Sequence, residues 1–301
     1  MRTGLLPRWL MVVAPAVGVT LLSLVILGFG PWGSTANGTA EGVLSGTPPP
    51  GTAAATGRPI ASPSVSPDDG TRTFYLAPDG DDSADGSREH PWSTAIRASG
   101  ELRPGDTLLA RGGRYLGQGG YGWVASGTPE APITFAAAPG ETAVFDGDGL
   151  EQWLIFSDVH DLVIEDLEIT NYRPVQNGVL LIIGSTSDVV LDGLVMEGNA
   201  SGGDPSSALE HLIYPGAGPV TNLTIRNCVL DASGLGGAVI HVFHDPGPVH
   251  LVIEGNAIRN GWWGVIIASD ADGVTIRRNR FSGNRQNVEI ADAARNVVVE
   301  P

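Results

Sequence analysis

Residues suited to moving protons are concentrated in one short stretch of this 301-residue chain. Four of the six histidines lie between positions 211 and 250. The stretch reads Glu210-His211-Leu212-Ile213-Tyr214, and later His241-Val242-Phe243-His244-Asp245-Pro246. Imidazole changes charge near neutral pH, so His211, His241 and His244 suit acid and base work, and Tyr214 can act beside them. Asp245 can orient one imidazole. His241 and His244 stand three apart on a strand and a loop. That spacing aligns metal ligands on a helix and not here, so no metal is assigned to them. The plain alternative is a set of polar groups at turns and on a sheet surface.

Other candidates are more scattered. A carboxylate pair for hydrolysis can be drawn from Asp146, Asp148, Glu165, Asp166, Glu168, Asp245 and Glu289. None of these forms a signature, and Asp146-Gly147-Asp148-Gly149 reads as a turn ending a strand. Trp262-Trp263 offers flat apolar faces on which a sugar ring can stack, or one core and one rim indole. Arg277, Arg278, Arg280 and Arg285 cluster late in the chain, either as solvated turns or as a patch for an acidic sugar. Asp79-Gly80-Asp81-Asp82-Ser83-Ala84-Asp85-Gly86 looks like a calcium loop, which makes Ca²⁺ the one cofactor to consider. Its twelfth place holds His90 where a bidentate Glu belongs.

What must position these groups is a repeat. Apolar residues recur as Leu162, Val189, Leu223, Leu251, Val274 and Val297. A second set runs Ile164, Leu191, Ile225, Ile253, Ile276 and Val299, and five residues after its members come Ile169, Met196, Leu230, Ile258 and Phe281. An imperfect period of about 20–35 residues marks a solenoid. Within each unit the alternation has period two, and Val, Ile, Leu and Thr dominate, so the units are strands. No unit shows the three- and four-residue steps of a helix. Each unit has room for three short strands, such as Gly264 to Ala268, Gly273 to Arg277 and Arg280 to Ser282. Stacked units give an all-β solenoid of three parallel sheets around an apolar interior. Asn256 and Asn279 fall at equivalent turns and can form an amide ladder, with Cys228 in the same inward slot one unit earlier. The second set widens its step across residues 206–250, which implies an extra loop there. Period-two alternation alone leaves open whether His241 faces inward or outward.

The chain resembles right-handed parallel β-helix proteins of the pectate-lyase-like type over roughly residues 72–301. The resemblance is carried by Phe74-Tyr75-Leu76-Ala77-Pro78-Asp79-Gly80-Asp81-Asp82, Asp85-Gly86, Pro91-Trp92, Pro104-Gly105-Asp106-Thr107 and Gly112-Gly113-Arg114-Tyr115. It implies a short N-terminal capping helix, read over residues 93–102 with Ile96 and Leu102 facing inward. It also implies a polysaccharide partner and, in lyases of this type, a cleft along one sheet beneath irregular loops. Cleaving a uronic-acid chain needs a base for the C5 proton, an acid at the leaving oxygen and a cation at the carboxylate. Lysine, the usual base in several such lyases, is absent from this sequence. The fold also hosts hydrolases, epimerases and inert spacers, so a non-catalytic glycan binder stays open beside the enzyme.

Composition bounds the rest. The formal charge is −16, a field that disfavours nucleic acid and also polyuronates unless Ca²⁺ bridges them. Residues 9–30 form an uncharged apolar run after Arg2 and Arg8. At about 20 residues it is longer than a signal-peptide core and long enough for a membrane span. We read 1–30 as a signal anchor, with a cleaved signal as the alternative, and place the remainder outside the cytoplasm. Residues 31–71 read as a flexible Gly/Pro/Ser/Thr/Ala linker, 72–132 as the opening and cap of the β-helix, and 133–301 as its coils. A single cysteine excludes an internal disulfide. The stretch Val297-Val298-Val299-Glu300-Pro301 is expected to leave an open strand edge, which implies either self-association through this end or an incomplete gene product.

Overall fold

The structure is a computed structural model that describes residues 71–175, 177–203, 209–243 and 247–301. The anchor over 1–30 and nearly all of the linker over 31–71 lie outside the described residues. Among the described residues no helix is long and apolar enough to cross a membrane.

The described chain begins with β1 (Thr73–Leu76), α1 (Ala95–Ser99), β2 (Thr107–Ala110), β3 (Gly113–Leu116) and β4 (Tyr121–Trp123). It continues with β5 (Ile133–Ala137), β6 (Ala143–Asp146), β7 (Leu154–Ser157), β8 (His160–Glu165) and β9 (Glu168–Thr170). The middle coils hold β10 (Asn177–Ile183), β11 (Ser187–Asp192), β12 (Val195–Met196), β13 (Glu210–Pro215), β14 (Thr221–Arg226) and β15 (Val229–Asp231). The last coils hold β16 (Ala238–Phe243), β17 (Val252–Glu254), β18 (Ala257–Arg259), β19 (Trp263–Ala268), β20 (Thr275–Arg277), β21 (Arg280–Ser282), β22 (Gln286–Ile290) and β23 (Val298–Glu300).

These strands form three parallel sheets. The first has nine strands, ordered β1-β2-β5-β8-β11-β14-β17-β20-β23. The second runs β4-β7-β10-β13-β16-β19-β22 and the third β3-β6-β9-β12-β15-β18-β21. Every third strand therefore pairs with its counterpart one coil away, as expected of a three-sheet solenoid. The register keeps like residues on like: Ile164, Leu191, Ile225, Ile253, Ile276 and Val299 are successive partners. Ile169, Met196, Leu230, Ile258 and Phe281 do the same in the third sheet. Apart from Val299 and Phe281 these side chains are 0–1% exposed. Early coils fill the interior with rings instead: Tyr115 stacks on Phe145 at 4.7 Å, and Phe135 meets Phe145 edge-on at 5.7 Å. Such pairs add about 0.5–1.5 kcal/mol each beyond the area they bury.

The corner between the first and third sheets explains the punctuation seen in the sequence. Asp166, Gly193, Asn227, Gly255 and Arg278 take left-handed φ there, from 53° to 67°. The next residue points inward: Leu167, Leu194, Cys228, Asn256, then Asn279. The expected amide ladder forms. Asn256 Oδ1 accepts the Cys228 N–H at 2.9 Å, while its Nδ2 donates to the Ile225 carbonyl at 2.9 Å and to Asn279 Oδ1 at 3.0 Å. Cys228 is buried and unpaired by any disulfide, and burial pushes its thiol up to about 12.

Two expectations need correction. The helix spans Ala95–Ser99 rather than 93–102: the Thr94 hydroxyl caps its start by accepting the Arg97 N–H, and Gly100 closes its end on the Ile96 carbonyl. Its buried face is Ala95 and Ala98, followed by Leu102, whereas Ile96 is only half-buried.

Candidate functional site

The second sheet settles the register that the sequence left open. Ile213, Ile240, Val265 and Val288 are successive partners along it, and the first three are fully buried. His241 pairs with Ile266, and Ile266 with Glu289. Tyr214 is level with His241, since each follows the paired isoleucine. Parity then puts Tyr214, His241, Ile266 and Glu289 in one column on the face away from the interior. His241 is half-buried and faces outward. Adjacent members stand about 4.8 Å apart along the stack.

His211 sits at the edge of this column. Its partner on β10 is Gly178. His211 Nδ1 accepts the backbone N–H of Ala238 at 2.9 Å, and His211 Nε2 lies 2.7 Å from His241 Nδ1. The two rings meet edge to face with centroids 4.2 Å apart. Gly237 makes room for the approach: a Cβ there would lie 2.5 Å from His211 Nδ1 and 2.4 Å from the Glu210 carbonyl oxygen. His211 is 2% exposed. Burial, reinforced by His241, pushes its imidazole down to about 2, so it is neutral at physiological pH.

Tyr214 stacks nearly parallel to His211, with centroids 5.8 Å apart, and lies edge-on to His241 at 5.4 Å. Burial pushes its phenol up to about 12, so it remains a proton donor. At the far end of the column Trp263 donates its indole N–H to the Glu289 carboxylate. Sequence reasoning named Glu289 only among scattered carboxylates. The signal that places it is its position between Val288 and Ile290, which matches His241 between Ile240 and Val242. β12 ends at Met196 and β13 begins at Glu210; of the residues between them 204–208 lie outside the described residues, so the extra loop inferred across 206–250 is described only in part.

Other candidates fall elsewhere. His244 and Asp245 lie outside the described residues. Arg277 is on β20 of the first sheet, where its Nε is 2.7 Å from the Glu254 carboxylate, and Arg278 shares that carboxylate. Arg280 is exposed on β21 of the third sheet. Arg277 and Arg280 thus lie on two sheets, neither of which carries His241. Trp262 lies beside Trp263 with its ring centroid 5.8 Å away, is 40% exposed, and carries the Arg285 guanidinium 3.8 Å from its ring centre. One indole therefore reaches the column and the other forms its rim.

The carboxylates are divided in the same way. Asp146 accepts hydrogen bonds from Arg114, Asn171 and the Asp148 N–H, the turn expected there. Glu165 is beside Asp192 in the first sheet, and burial followed by the Asp166 and Asp192 charges raises its carboxyl above the usual range. Glu168 is in the third sheet. In the loop over 79–86, Asp81 serves Ser83, Asp85 serves Ser87, and Asp82 accepts from Ser93 and Thr94 at the start of α1. Among the described residues no three His, Cys, Asp or Glu side chains converge as metal ligands.

No family model matches the chain. Over 77 residues, 26% of its length, it is 34% identical to pectate lyase PEL9 of Emericella nidulans, covering 19% of that protein. Over 146 residues, 45% of its length, it is 29% identical to uncharacterized protein YwoF of Bacillus subtilis, covering 31% of that protein. The chain thus spans a third or less of the curated relatives it matches. Among solved structures, a GH136 lacto-N-biosidase from Eubacterium ramulus superposes with a TM-score of 0.57 at 16% identity, over 76% of this chain and 55% of that one. A mannuronic acid specific polysaccharide family 6 lyase from human gut microbiota gives 0.54 at 18% identity, over 73% and 52%. At such identities the likeness is one of fold, that of a three-sheet parallel β-helix.

Proposed function

We propose that this protein acts on polysaccharide through the outer face of its second sheet, by lyase-like cleavage of an acidic glycan. The observation that carries the reading is the column Tyr214–His241–Ile266–Glu289, which sets a phenol, an imidazole and a carboxylate in line on a rigid aliphatic row. Sites of this kind sit on stiff scaffolds beside irregular loops. In the elimination, a base removes the C5 proton and the C5–H electron pair becomes the C4–C5 double bond. The C4–O bond breaks, and the leaving oxygen takes a proton. Tyr214 stays protonated and suits the last role beside His241, whereas Glu289, three strands or about 14 Å from Tyr214 along the stack, meets a neighbouring sugar and not the same linkage. Trp262 and Arg285 form the rim on which a neighbouring sugar can rest.

The polysaccharide partner draws support from relatives and neighbours whose names describe pectate, mannuronate and rhamnogalacturonan lyases. The burial of Ala95, Ala98 and Leu102 supports α1 as the cap of the first coil. The apolar run over 9–30 supports a membrane-held, extracytoplasmic protein. A second reading, a glycan binder without turnover, is favoured by the absence of lysine.

The test is a release assay on a panel of plant, algal and bacterial glycans, following unsaturated ends by ultraviolet absorbance and reducing ends in parallel. The proposal expects unsaturated products that are lost in His241→Ala. No turnover on any glycan, with unchanged retention by His241→Ala, would remove the enzyme. Reducing ends without unsaturation would replace the lyase by a hydrolase.

A further inference from the structure

Arginines across the sheets are held by carboxylates: Arg72 by Asp106, Arg226 by Asp192, Arg259 by Asp231 and Arg277 by Glu254. Arg88 and Arg111 are different. Among the described residues neither side chain has a partner. The two line one cavity of about 300 Å³, together with Tyr75, Leu109, Pro139 and Glu141. That volume is at the lower end of pockets that take a small organic ligand.

The cavity is built on the first coils. Tyr75 on β1 is opposite Leu109 on β2. Leu76 and Leu108 beside them are fully buried, so strand parity turns Tyr75 and Leu109 outward, where both are half-buried. Both arginine backbones are pinned. Around Arg88, the Ser87 N–H donates to Asp85 Oδ1 at 3.0 Å, and the Ser87 hydroxyl accepts the His90 N–H at 3.2 Å. The Arg111 N–H donates to the Leu76 carbonyl at 2.9 Å, and the Arg111 carbonyl accepts the Tyr115 hydroxyl at 2.8 Å. The Glu141 carboxylate is engaged by the Gly112 N–H at 2.6 Å. Two guanidiniums against one carboxylate leave the cavity cationic, in a chain whose formal charge is −16.

We propose that this cavity is an ancillary binding site for one anionic sugar residue, whose carboxylate lies between Arg88 and Arg111 and whose ring rests on Tyr75. A guanidinium presents paired N–H donors that match a planar carboxylate. The unpaired arginines select the oxyanion; that the oxyanion belongs to a sugar rests on the polysaccharide reading. The site is separate from His241. It lies on the first sheet, whereas His241 is on β16 of the second, four strand steps beyond β4 and about 19 Å along the axis. It holds glycan without touching the bond that is cleaved.

The experiment follows the side-chain N–H signals of the full chain labelled with ¹⁵N-arginine, the two signals assigned from Arg88→Gln and Arg111→Gln. The probes are oligogalacturonate, a neutral galacto-oligosaccharide and inorganic sulfate. Both signals are expected to shift and saturate with oligogalacturonate and to stay still with the neutral sugar. In Arg88→Gln the Arg111 signal should need about tenfold more oligogalacturonate to reach half-saturation, the loss of one charge-assisted hydrogen bond. Glu141→Gln keeps an acceptor for Gly112, removes the negative charge and should tighten binding. Arg103→Gln, at an exposed arginine outside the cavity, should leave the titration unchanged. Unmoved arginine signals, or an effect of Arg103→Gln equal to that of Arg88→Gln, would overturn the site. Half-saturation by sulfate at no higher concentration would overturn the sugar. A protein that cleaves glycan while both signals stay still loses this site alone. Shifted signals in a protein that cleaves nothing remove the lyase alone.

Discussion

Trp263 on β19 and Glu289 on β22 are joined by an indole N–H donated to the carboxylate. The two strands are neighbours in the second sheet, with Trp263 opposite Gln286 and Ile266 opposite Glu289. The bond leans the carboxylate along the sheet and holds it in the same outward column as His241. Glu289 stands where a neighbouring sugar would lie, so Glu289→Gln should raise KM more than it lowers kcat, with the urea midpoint nearly unchanged. Trp263→Phe keeps the ring and loses the donor to Glu289, and should give a smaller rise in KM. Steady-state kinetics on the most active glycan of the panel checks both.

The buried imidazole of His211 predicts a stability change in mild acid. Its folded value is about 2, against 6.5 for the free side chain. Above 6.5 the ring is neutral in both states and its contribution is complete. Below 6.5 the unfolded chain takes up a proton that the folded chain refuses, so stability falls as pH falls, by about 1.4 kcal/mol per unit. From pH 7 to pH 5 the loss is about 2 kcal/mol for this one group. Urea melts at the two pH values should show that loss in the wild type and a smaller one in His211→Gln.

Asn256 is 1% exposed and serves two backbone groups as well as Asn279. Asn256→Ala strips the Cys228 N–H and the Ile225 carbonyl of their partners at once. Each orphaned buried group costs about 1–3 kcal/mol, so a loss of about 2–4 kcal/mol is expected from denaturant melts. Asn296→Ala, which removes an exposed bond to Asp272, should cost under about 0.5 kcal/mol.

The aliphatic column should behave as a close-packed interior. Ile253 is fully buried between Ile225 and Ile276. Ile253→Ala is expected to cost about 2–5 kcal/mol. Val298→Ala, at a position 46% exposed in β23, should change the thermal midpoint little.

Trp262 gives the binding rim its own test. Trp262→Ala should reduce retention of the protein on the preferred glycan in affinity electrophoresis, while His241→Ala should leave retention and remove cleavage. Equal retention by wild type and Trp262→Ala would place the rim elsewhere.

The inward columns were legible because burial forces the same kind of side chain at the same height in every coil, and the strand period is two. Asn256 and Asn279 were legible for the same reason, since their slot repeats. The site was legible only in part. His211, Tyr214 and His241 were named, but their mutual geometry depends on pairing across residues 30 apart, which no local pattern encodes. The face of His241 became fixed only once Ile240 was set against Ile213 and Val265. Glu289 was hidden because an outward column is not obliged to repeat its residue type. Arg277 and Arg280 misled because closeness in sequence spans a sheet corner. Ile96 misled because Ala95 and Ala98, small enough for close approach, take the inward side of a five-residue helix.

The coils differ in length chiefly at one corner, between β12 and β13, whereas the strands on either side keep their partners. Each coil leans only on the one before and the one after. A lineage can therefore lengthen, shorten or rewrite the segment beside His211 without disturbing the aliphatic stack. Length at this corner and foldedness are thus separable traits, and variation should accumulate here by insertion sooner than by repacking.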